Sequence, residues 1–138
     1  MSILYIGARH LHLPVISMLP ILHGFLVLED ERGQTTFSGD HGRGLIGTPL
    51  LAYEASYLLE HADRRDVVVL QPAWTQIDAV VVLTSFRTTK ARINALGLTY
   101  NPLNCNCNTV VTTLVLQAGL ELPPPPALFL PGWGRSIL

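Results

Sequence analysis

The chain has 138 residues, of which 49% are hydrophobic and 14% are charged, and its formal net charge is −1. This length and apolar content suffice for one domain with its own hydrophobic core, so we predict a single domain over residues 1–138. The near-neutral charge excludes the basic surface that a phosphate backbone requires, and we predict no nucleic-acid partner.

Residues 11–28 are nearly all apolar and raise the question of a membrane span or a signal peptide. Pro14, Pro20 and His23 interrupt this segment, and no basic region precedes it. Two prolines and an imidazole are costly in a lipid-facing helix. We therefore expect neither an integral membrane segment nor a signal peptide, which leaves a cytoplasmic location or export by a specialised secretion route.

The first half of the chain predicts mainly β-structure. Short apolar runs bounded by turn residues predict strands at residues 3–6, 24–29, 34–38 and 66–70. The turn at residues 30–33 joins the second and third of these strands into a β-hairpin. Residues 39–47 are rich in glycine and predict a loop, and residues 50–61 are predicted to form a short helix.

The second half predicts two helices. Thr75 and Asp78 resemble a capping box that opens a long helix ending near Gly97, and a loop at residues 98–104 follows. A second helix is predicted from its apolar spacing at Cys107, Val110, Val111, Leu114, Val115 and Ala118. Gly119 is its expected stop.

The end of the chain is rich in proline. The four prolines at 123–126 predict an extended segment, and the Pro-Gly-Trp-Gly tail at 131–134 is predicted to pack across the domain. With strands first and helices late, the chain is predicted to be an α+β domain.

Cys107 is the candidate nucleophile because it opens the second predicted helix. Unpaired N–H groups and the partial positive charge at a helix N-terminus favour a thiolate and can hold an oxyanion. Cys105 falls before the apolar stripe, at loop or N-cap distance. The alternative is that both cysteines are small buried hydrophobic residues. A disulfide between them is not expected at this spacing.

His23 is the best candidate base among five histidines, because it opens the apolar strand at residues 24–29. A rigid strand end can hold a catalytic group both fixed and accessible. The alternative is a hydrogen-bonded core or rim histidine.

The hairpin register predicts a third residue. A turn symmetric about residues 31 and 32 pairs Glu29 with Gln34, and continuing this register places Asp40 opposite His23. Asp40 would then orient the imidazole. A glycine bulge at residue 33 would shift the register by one and bring His41 opposite His23 instead.

Two short motifs resemble those of a known family. Segment 106–111 (Asn-Cys-Asn-Thr-Val-Val) resembles the start of the cysteine helix, and segment 23–28 resembles the histidine strand, in the circularly permuted branch of the papain-like hydrolases. This branch includes the NlpC-type cell-wall peptidases and the lecithin:retinol acyltransferase-like proteins. Residues 100–120 and the tail 131–134 are similar to small bacterial proteins of this group.

The resemblance implies a permuted papain-like fold, in which an antiparallel sheet packs against helices with the nucleophilic cysteine at a helix N-terminus. It further implies Cys107 as nucleophile and His23 as base. The substrates of the resembled families are cell-wall peptides or acyl lipids. We predict a cysteine hydrolase that cleaves an amide, such as a cell-wall peptide, through a thioester and uses no cofactor and no metal. An acyl-lipid hydrolase or acyltransferase on the same fold is the alternative.

Three other functions remain as alternatives. Cys105 and Cys107 could bind zinc together with the His10-x-His12 pair, although no second ligand motif completes the set. Residues 42–47 match the G-x-G-x-x-G pattern of nucleotide binding, but a polar segment precedes them where a buried strand is needed. The chain could also be an interaction module with an unused thiol and a protein partner of unknown kind.

Overall fold

A computed structural model describes residues 2–10, 22–40, 48–57, 67–101, 105–127 and 130–138 of the chain, without the side chain of Asp40. These residues form an antiparallel five-stranded sheet and two helices. The strands are β1 (Ser2–His10), β2 (Leu22–Asp30), β3 (Gly33–Asp40), β4 (Leu51–Ser56) and β5 (Val67–Ile77). The helices are α1 (Ala79–Ala95) and α2 (Cys107–Gln117). The sheet order is β4-β3-β2-β1-β5, and the predicted α+β class is confirmed.

The predicted hairpin is present with the predicted register. Glu29 pairs with Gln34, so the turn is symmetric about residues 31 and 32. Gly33 pairs with Asp30 without a register shift, and its φ of 129° is a conformation that favours glycine. The ladder continues to the pair Leu26 and Phe37.

The two faces of the sheet bury different sets of side chains, because successive residues of a strand point to opposite faces. The helix face packs against α1 and α2 and carries Leu4, Ile6, Leu26, Leu28 and Phe37, which contact Phe86, Ile93, Val110, Val111 and Leu114. The Phe37 and Phe86 rings meet edge to face with centroids 5.1 Å apart. The opposite face carries a second cluster of Phe25, Val27 and Tyr57.

The strand predicted at residues 66–70 is longer than expected and changes the start of α1. β5 continues through Trp74 to Ile77, because it pairs with β1 along its length through several register shifts. Thr75 therefore lies in the strand, and the predicted capping box is wrong. Asp78 alone caps α1, since its side chain accepts hydrogen bonds from the N–H groups of Val80 and Val81.

The helix predicted at residues 50–61 is wrong over its first part, where the structure has β4. This strand pairs with β3 from the pair Asp40 and Leu51 to the pair Thr35 and Ser56. Pairing satisfies the backbone groups of β3 that an uncovered edge would leave open. Gly39 and Asp40, assigned to a loop by sequence, belong to β3 for the same reason. Residues 41–47 and 58–61 lie outside the described part.

The membrane question has a partial answer. No helix in the described ranges is both long enough and apolar enough to cross a bilayer.

Candidate functional site

The start of α2 is fixed by a capping box. The Asn106 side chain accepts hydrogen bonds from the N–H groups of Asn108 at 2.8 Å and Thr109 at 3.3 Å, and Thr109 Oγ1 accepts from the Asn106 N–H at 2.9 Å. Cys107 is consequently the first residue of the helix, as predicted. Gly119, with a φ of 75°, follows its end.

Helix α2 is buried on all sides from Cys107 to Val115, rather than on one apolar face. The C-terminal tail covers its polar face. Gly134 N–H donates to Thr112 Oγ1 at 3.1 Å, and Ile137 N–H donates to Thr113 Oγ1 at 2.8 Å. The predicted packing of the tail across the domain is thus confirmed, and it explains how a helix with four threonine and asparagine side chains between Asn108 and Thr113 can be fully buried.

Two glycines let the start of α2 lie directly against the sheet. A Cβ atom at Gly39 would lie 3.0 Å from Cys107 Cα, and one at Gly24 would lie 2.7 Å from Asn108 Oδ1. Gly24 N–H donates to this same oxygen at 2.7 Å. The Asn108 side chain therefore accepts a hydrogen bond from β2 beyond the point where the ladder between β2 and β3 ends. Cys107 lies beside this end of the ladder.

The Cys107 thiol is only 2% exposed. Burial raises the pKa of Cys107 to about 12, although the charge of Arg9 and the backbone N–H groups of Gly24, Asn108 and Cys107 itself act to lower it. The predicted stabilisation of a thiolate by helix N–H groups is therefore present, but the loss of hydration outweighs it. Cys107 Sγ also lies 3.9 Å from Asn108 Oδ1, an acceptor that favours the protonated thiol. The resting form of the site is a thiol.

Cys105 is the more accessible of the two thiols, and both are free. It lies just before the Asn106 cap, as expected from sequence, and its backbone exchanges hydrogen bonds with Asn101. Burial raises the pKa of Cys105 as well.

His23 is buried and bonded to a serine that the sequence did not identify. Its Nε2 lies 3.2 Å from Ser38 Oγ, and that hydroxyl donates to the Gly24 carbonyl at 2.7 Å. Because the serine proton is used in this way, its oxygen accepts from His23, which assigns the proton to Nε2.

Asp40 was predicted to orient His23. The side chain of Asp40 and all of His41 lie outside the described residues, so this role stays a prediction. Ser38, two residues earlier on β3, holds the imidazole in the structure.

His23 and Cys107 lie on different sides of the sheet at the place where β2 and β3 separate. Gly39 faces Cys107, and Ser38 next to it points the other way because side chains alternate. His23 likewise shares its face with Phe25, whereas Gly24 faces α2. The structure therefore brings the predicted nucleophile and base to one end of a strand pair with the sheet backbone between them.

Arg9 and Tyr53 lie on the strands that flank His23 and Ser38. Arg9 on β1 pairs directly with His23 on β2, and Tyr53 on β4 pairs directly with Ser38 on β3. Arg9 Nη2 lies 3.5 Å from the Tyr53 hydroxyl.

Sequence reasoning missed Ser38 and Arg9 for different reasons. The hairpin register was correct, but only the residue directly opposite His23 was considered, whereas a diagonal neighbour two positions away is also within reach. That signal could have found Ser38. The position of Arg9 beside His23 depends on the register between β1 and β2. The sequence offers no short turn there like the one that sets the register between β2 and β3.

The other sites considered from sequence lie partly outside the described residues. Within the described ranges, no group of three or more histidine, cysteine, aspartate or glutamate side chains could hold a metal ion. His10 is exposed at the end of β1, and His12 lies outside the described residues. The glycine-rich segment 42–47 also lies outside them.

Comparisons with known proteins do not identify the chain. No family model, no curated protein and no solved structure matches it. The case for a functional site therefore depends on the contacts around Cys107 and His23.

Proposed function

We propose that the protein is a cysteine hydrolase in which Cys107 is the nucleophile and His23 is the base. The observation that carries this proposal is the convergence of positive groups on the Cys107 sulfur. Three backbone N–H groups and the Arg9 charge all favour an anion at this position. Such an arrangement suits a thiolate and the oxyanion that follows its attack on a carbonyl.

The proposed fold is the permuted papain-like one. The histidine strand β2 precedes the cysteine helix α2 in the chain, and the helix packs on an antiparallel sheet with its first residue against that strand. These features support the order expected from the resemblance.

In the proposed reaction, a local opening first brings the Cys107 thiol to the His23 ring, and His23 takes its proton. The sulfur attacks an amide carbonyl, the C–N bond breaks, and the leaving amine takes the proton from His23. Water then attacks the thioester, the C–S bond breaks, and a carboxylic acid and the free thiol are released. The Asn108 amide group is not the oxyanion donor, because it donates to the carbonyls of Leu22 and Pro131.

The structure corresponds in this proposal to a closed form. Cys107 and His23 are 2% and 3% exposed, so a substrate can reach them only after a local opening. The ladder between β2 and β3 ends at the pair Leu26 and Phe37, and the proposed opening lies at this end of the hairpin.

Hydrolysis assays on cell-wall peptides test the proposal first, with acyl esters as the second substrate class. We expect Cys107→Ala to abolish turnover and Cys105→Ala to retain it, since only Cys107 receives the converging N–H groups. A Cys107→Ala protein with full hydrolytic activity would exclude the mechanism. Activity on acyl esters alone would replace the amide substrate with an acyl lipid.

The second candidate function is a non-catalytic interaction module. The burial of Cys107 and its pKa of about 12 favour this alternative, since a structural cysteine has both properties. The two functions differ in thiol reactivity. An interaction module predicts that Cys107 is alkylated only when the protein unfolds.

A further inference from the structure

The two edges of the sheet differ in how their backbone groups are satisfied. On the β4 edge, the Asn94 side chain accepts from Ala52 N–H at 2.8 Å and donates to the Ala52 carbonyl at 3.0 Å. Just before β4, Leu50 N–H donates to the Leu98 carbonyl at 2.9 Å, so α1 and the segment after it cover this edge. In the described part of the chain, no strand pairs with the outer edge of β5. We call this outer edge the open edge.

The strand registers identify which backbone groups face the open edge. Residues of an antiparallel strand direct their N–H and C=O groups alternately to one side and to the other. Ala52 bonds to Asn94 and therefore faces away from β3, and Glu54, two positions on, does the same. One row of directly paired residues crosses the sheet from Glu54, through Phe37, Leu26, Ile6 and Gln71.

The direction of the backbone groups can be followed along this row. Directly paired residues either both face each other or both face away. Glu54 and Phe37 face away from each other, so Phe37 and Leu26 face each other. Leu26 and Ile6 then face away from each other, and Ile6 and Gln71 face each other. The backbone groups of Gln71 are therefore used by β1.

Leu70 and Pro72, on either side of Gln71, consequently face the open edge. No register shift separates them from Gln71, because residues 69–72 pair regularly with β1. The position of Pro72 agrees with this direction, since an edge strand accommodates a proline where its nitrogen faces outward. Leu70 thus presents both an N–H and a C=O group to the open edge.

The open edge is apolar and uncharged around Leu70. β5 contains no charged residue, and the side chains of Val68 and Leu70 are 50% and 37% exposed. Proteins usually protect an edge strand with charges, prolines or bulges. β5 has Pro72 and register shifts on both sides of residues 69–72, which limit pairing to a short stretch around Leu70.

We propose that a second copy of the chain pairs with the open edge, antiparallel to β5 and with the two-fold axis at Leu70. The two Leu70 residues exchange N–H···O=C hydrogen bonds, and their side chains lie directly opposite each other with Cβ atoms about 5 Å apart. Val68 of each copy lies opposite Pro72 of the other. Two five-stranded sheets become one continuous sheet.

Two observations favour a second copy over an extended segment of another protein. Identical uncharged strands place no like charges opposite each other when they pair, whereas a charged edge would repel its own copy. The β4 edge is covered by Asn94 and Leu98, so each copy offers only the edge of β5. Pairing through a two-fold axis then closes at two copies and does not extend into a fibre.

Sedimentation equilibrium of the full chain under reducing conditions tests the proposal. Concentrations from about 1 µM to about 1 mM cover the Kd values of small interfaces. We expect a monomer–dimer equilibrium with no larger species. Leu70→Lys and Leu70→Glu should each raise the Kd at least about tenfold, because two like charges then lie directly opposite.

Two controls make the substitutions specific. An equimolar mixture of Leu70→Lys and Leu70→Glu should restore association, because opposite charges then meet across the two-fold axis. Leu51→Lys introduces the same charge at a leucine that is 48% exposed on the covered edge, and it should leave the Kd unchanged.

Hydrogen exchange followed by NMR tests the contact in the unsubstituted chain. Exchange of the Leu70 amide should slow as the protein concentration rises through the Kd, because this N–H is bonded only in the dimer. The Leu50 amide is bonded to Leu98 within the chain, so its exchange should not depend on concentration.

A chain that stays monomeric at about 1 mM, or that forms fibres, would overturn the proposal. A dimer whose Kd is unchanged by Leu70→Lys would show that the contact lies elsewhere. A mixture that associates no better than either variant alone would exclude the two-fold axis at Leu70. If the variants do not fold, exchange of the Leu70 amide decides, and exchange independent of concentration contradicts the pairing.

Discussion

Asn108 links the start of α2 to both the sheet and the tail, and its removal should be strongly destabilising. Its Oδ1 accepts from Gly24 N–H at 2.7 Å, and its Nδ2 donates to Leu22 O at 3.3 Å and to Pro131 O at 3.0 Å. The residue is only 1% exposed, so water cannot replace these partners without rearrangement. Each such bond contributes about 1 kcal/mol, and each buried group left unpaired adds a penalty.

We therefore expect Asn108→Ala to lower the free energy of unfolding by about 3 to 4 kcal/mol, a large part of a typical total of about 5 to 15 kcal/mol. Urea unfolding followed by circular dichroism measures the change, with the m-value unaltered. Gln117→Ala is the control, because it removes an exposed amide from the same helix and should cost less than about 0.5 kcal/mol. A loss below about 1 kcal/mol in Asn108→Ala would refute the reasoning, because the buried amide would then contribute no more than a single ordinary hydrogen bond.

Asn108→Asp adds a pH test of the same contacts. Its carboxylate would face the carbonyl oxygens of Leu22 and Pro131, so its pKa in the folded protein should be raised above the unfolded value. A raised pKa means that stability is retained at low pH and lost as pH rises through the folded pKa. The stability difference from wild type should accordingly grow from about pH 4 to about pH 7.

Three further predictions concern other parts of the fold. Asp78→Ala should lower the free energy of unfolding by about 1 kcal/mol, because it removes the cap of α1. Thr75→Ala should be nearly neutral, because Thr75 is exposed in β5. Thermal unfolding of the two variants therefore distinguishes a cap by Asp78 alone from the capping box expected from sequence. Thr36→Val should raise the free energy of unfolding by about 1 kcal/mol, because Thr36 Oγ1 is buried with no hydrogen-bond partner among the described residues. A lower free energy of unfolding in this variant would indicate that the hydroxyl has a partner. Burial raises the pKa of Glu54, but Arg87 and Lys90 of α1 outweigh this effect and hold the pKa of Glu54 below its usual value. Glu54→Gln should therefore lower the free energy of unfolding by about 1 kcal/mol at neutral pH. That difference should disappear on acidification through the folded pKa of Glu54, because only the ionised carboxylate is stabilised; a difference independent of pH would exclude the ion pair as its cause.

The elements that sequence predicted correctly are those whose signals are local. The turn at residues 30–33 determined the hairpin register, and the apolar spacing after Cys107 determined α2. The errors concern β4 and the length of β5, which depend on pairing with distant strands. Pairing partners overrode the local helix pattern at residues 50–57 and the apparent capping box at Thr75.

The site was predictable in part for the same reason. Cys107 at the helix start and His23 on the strand follow from local patterns, and the structure has both at these positions. The burial of Cys107 does not follow from them, because it depends on the tail and on the absent side chains of Gly24 and Gly39. The charge of Arg9 on β1 acts against this rise in the pKa of Cys107, and the sequence gives no sign that the two residues are close.

The pH dependence of iodoacetamide labelling at Cys107, in wild type, His23→Ala and the exposed-histidine control His10→Ala, tests the central claim most directly. Peptide mass mapping in a Cys105→Ser background assigns the product. The account predicts that Cys107 reacts at neutral pH faster than an isolated thiol with a pKa of about 12 can. His23→Ala should lower this rate at least about tenfold, and His10→Ala should leave it unchanged. A rate that rises about tenfold per pH unit into the alkaline range, and equally in all three proteins, would contradict the claim that His23 and Cys107 act together.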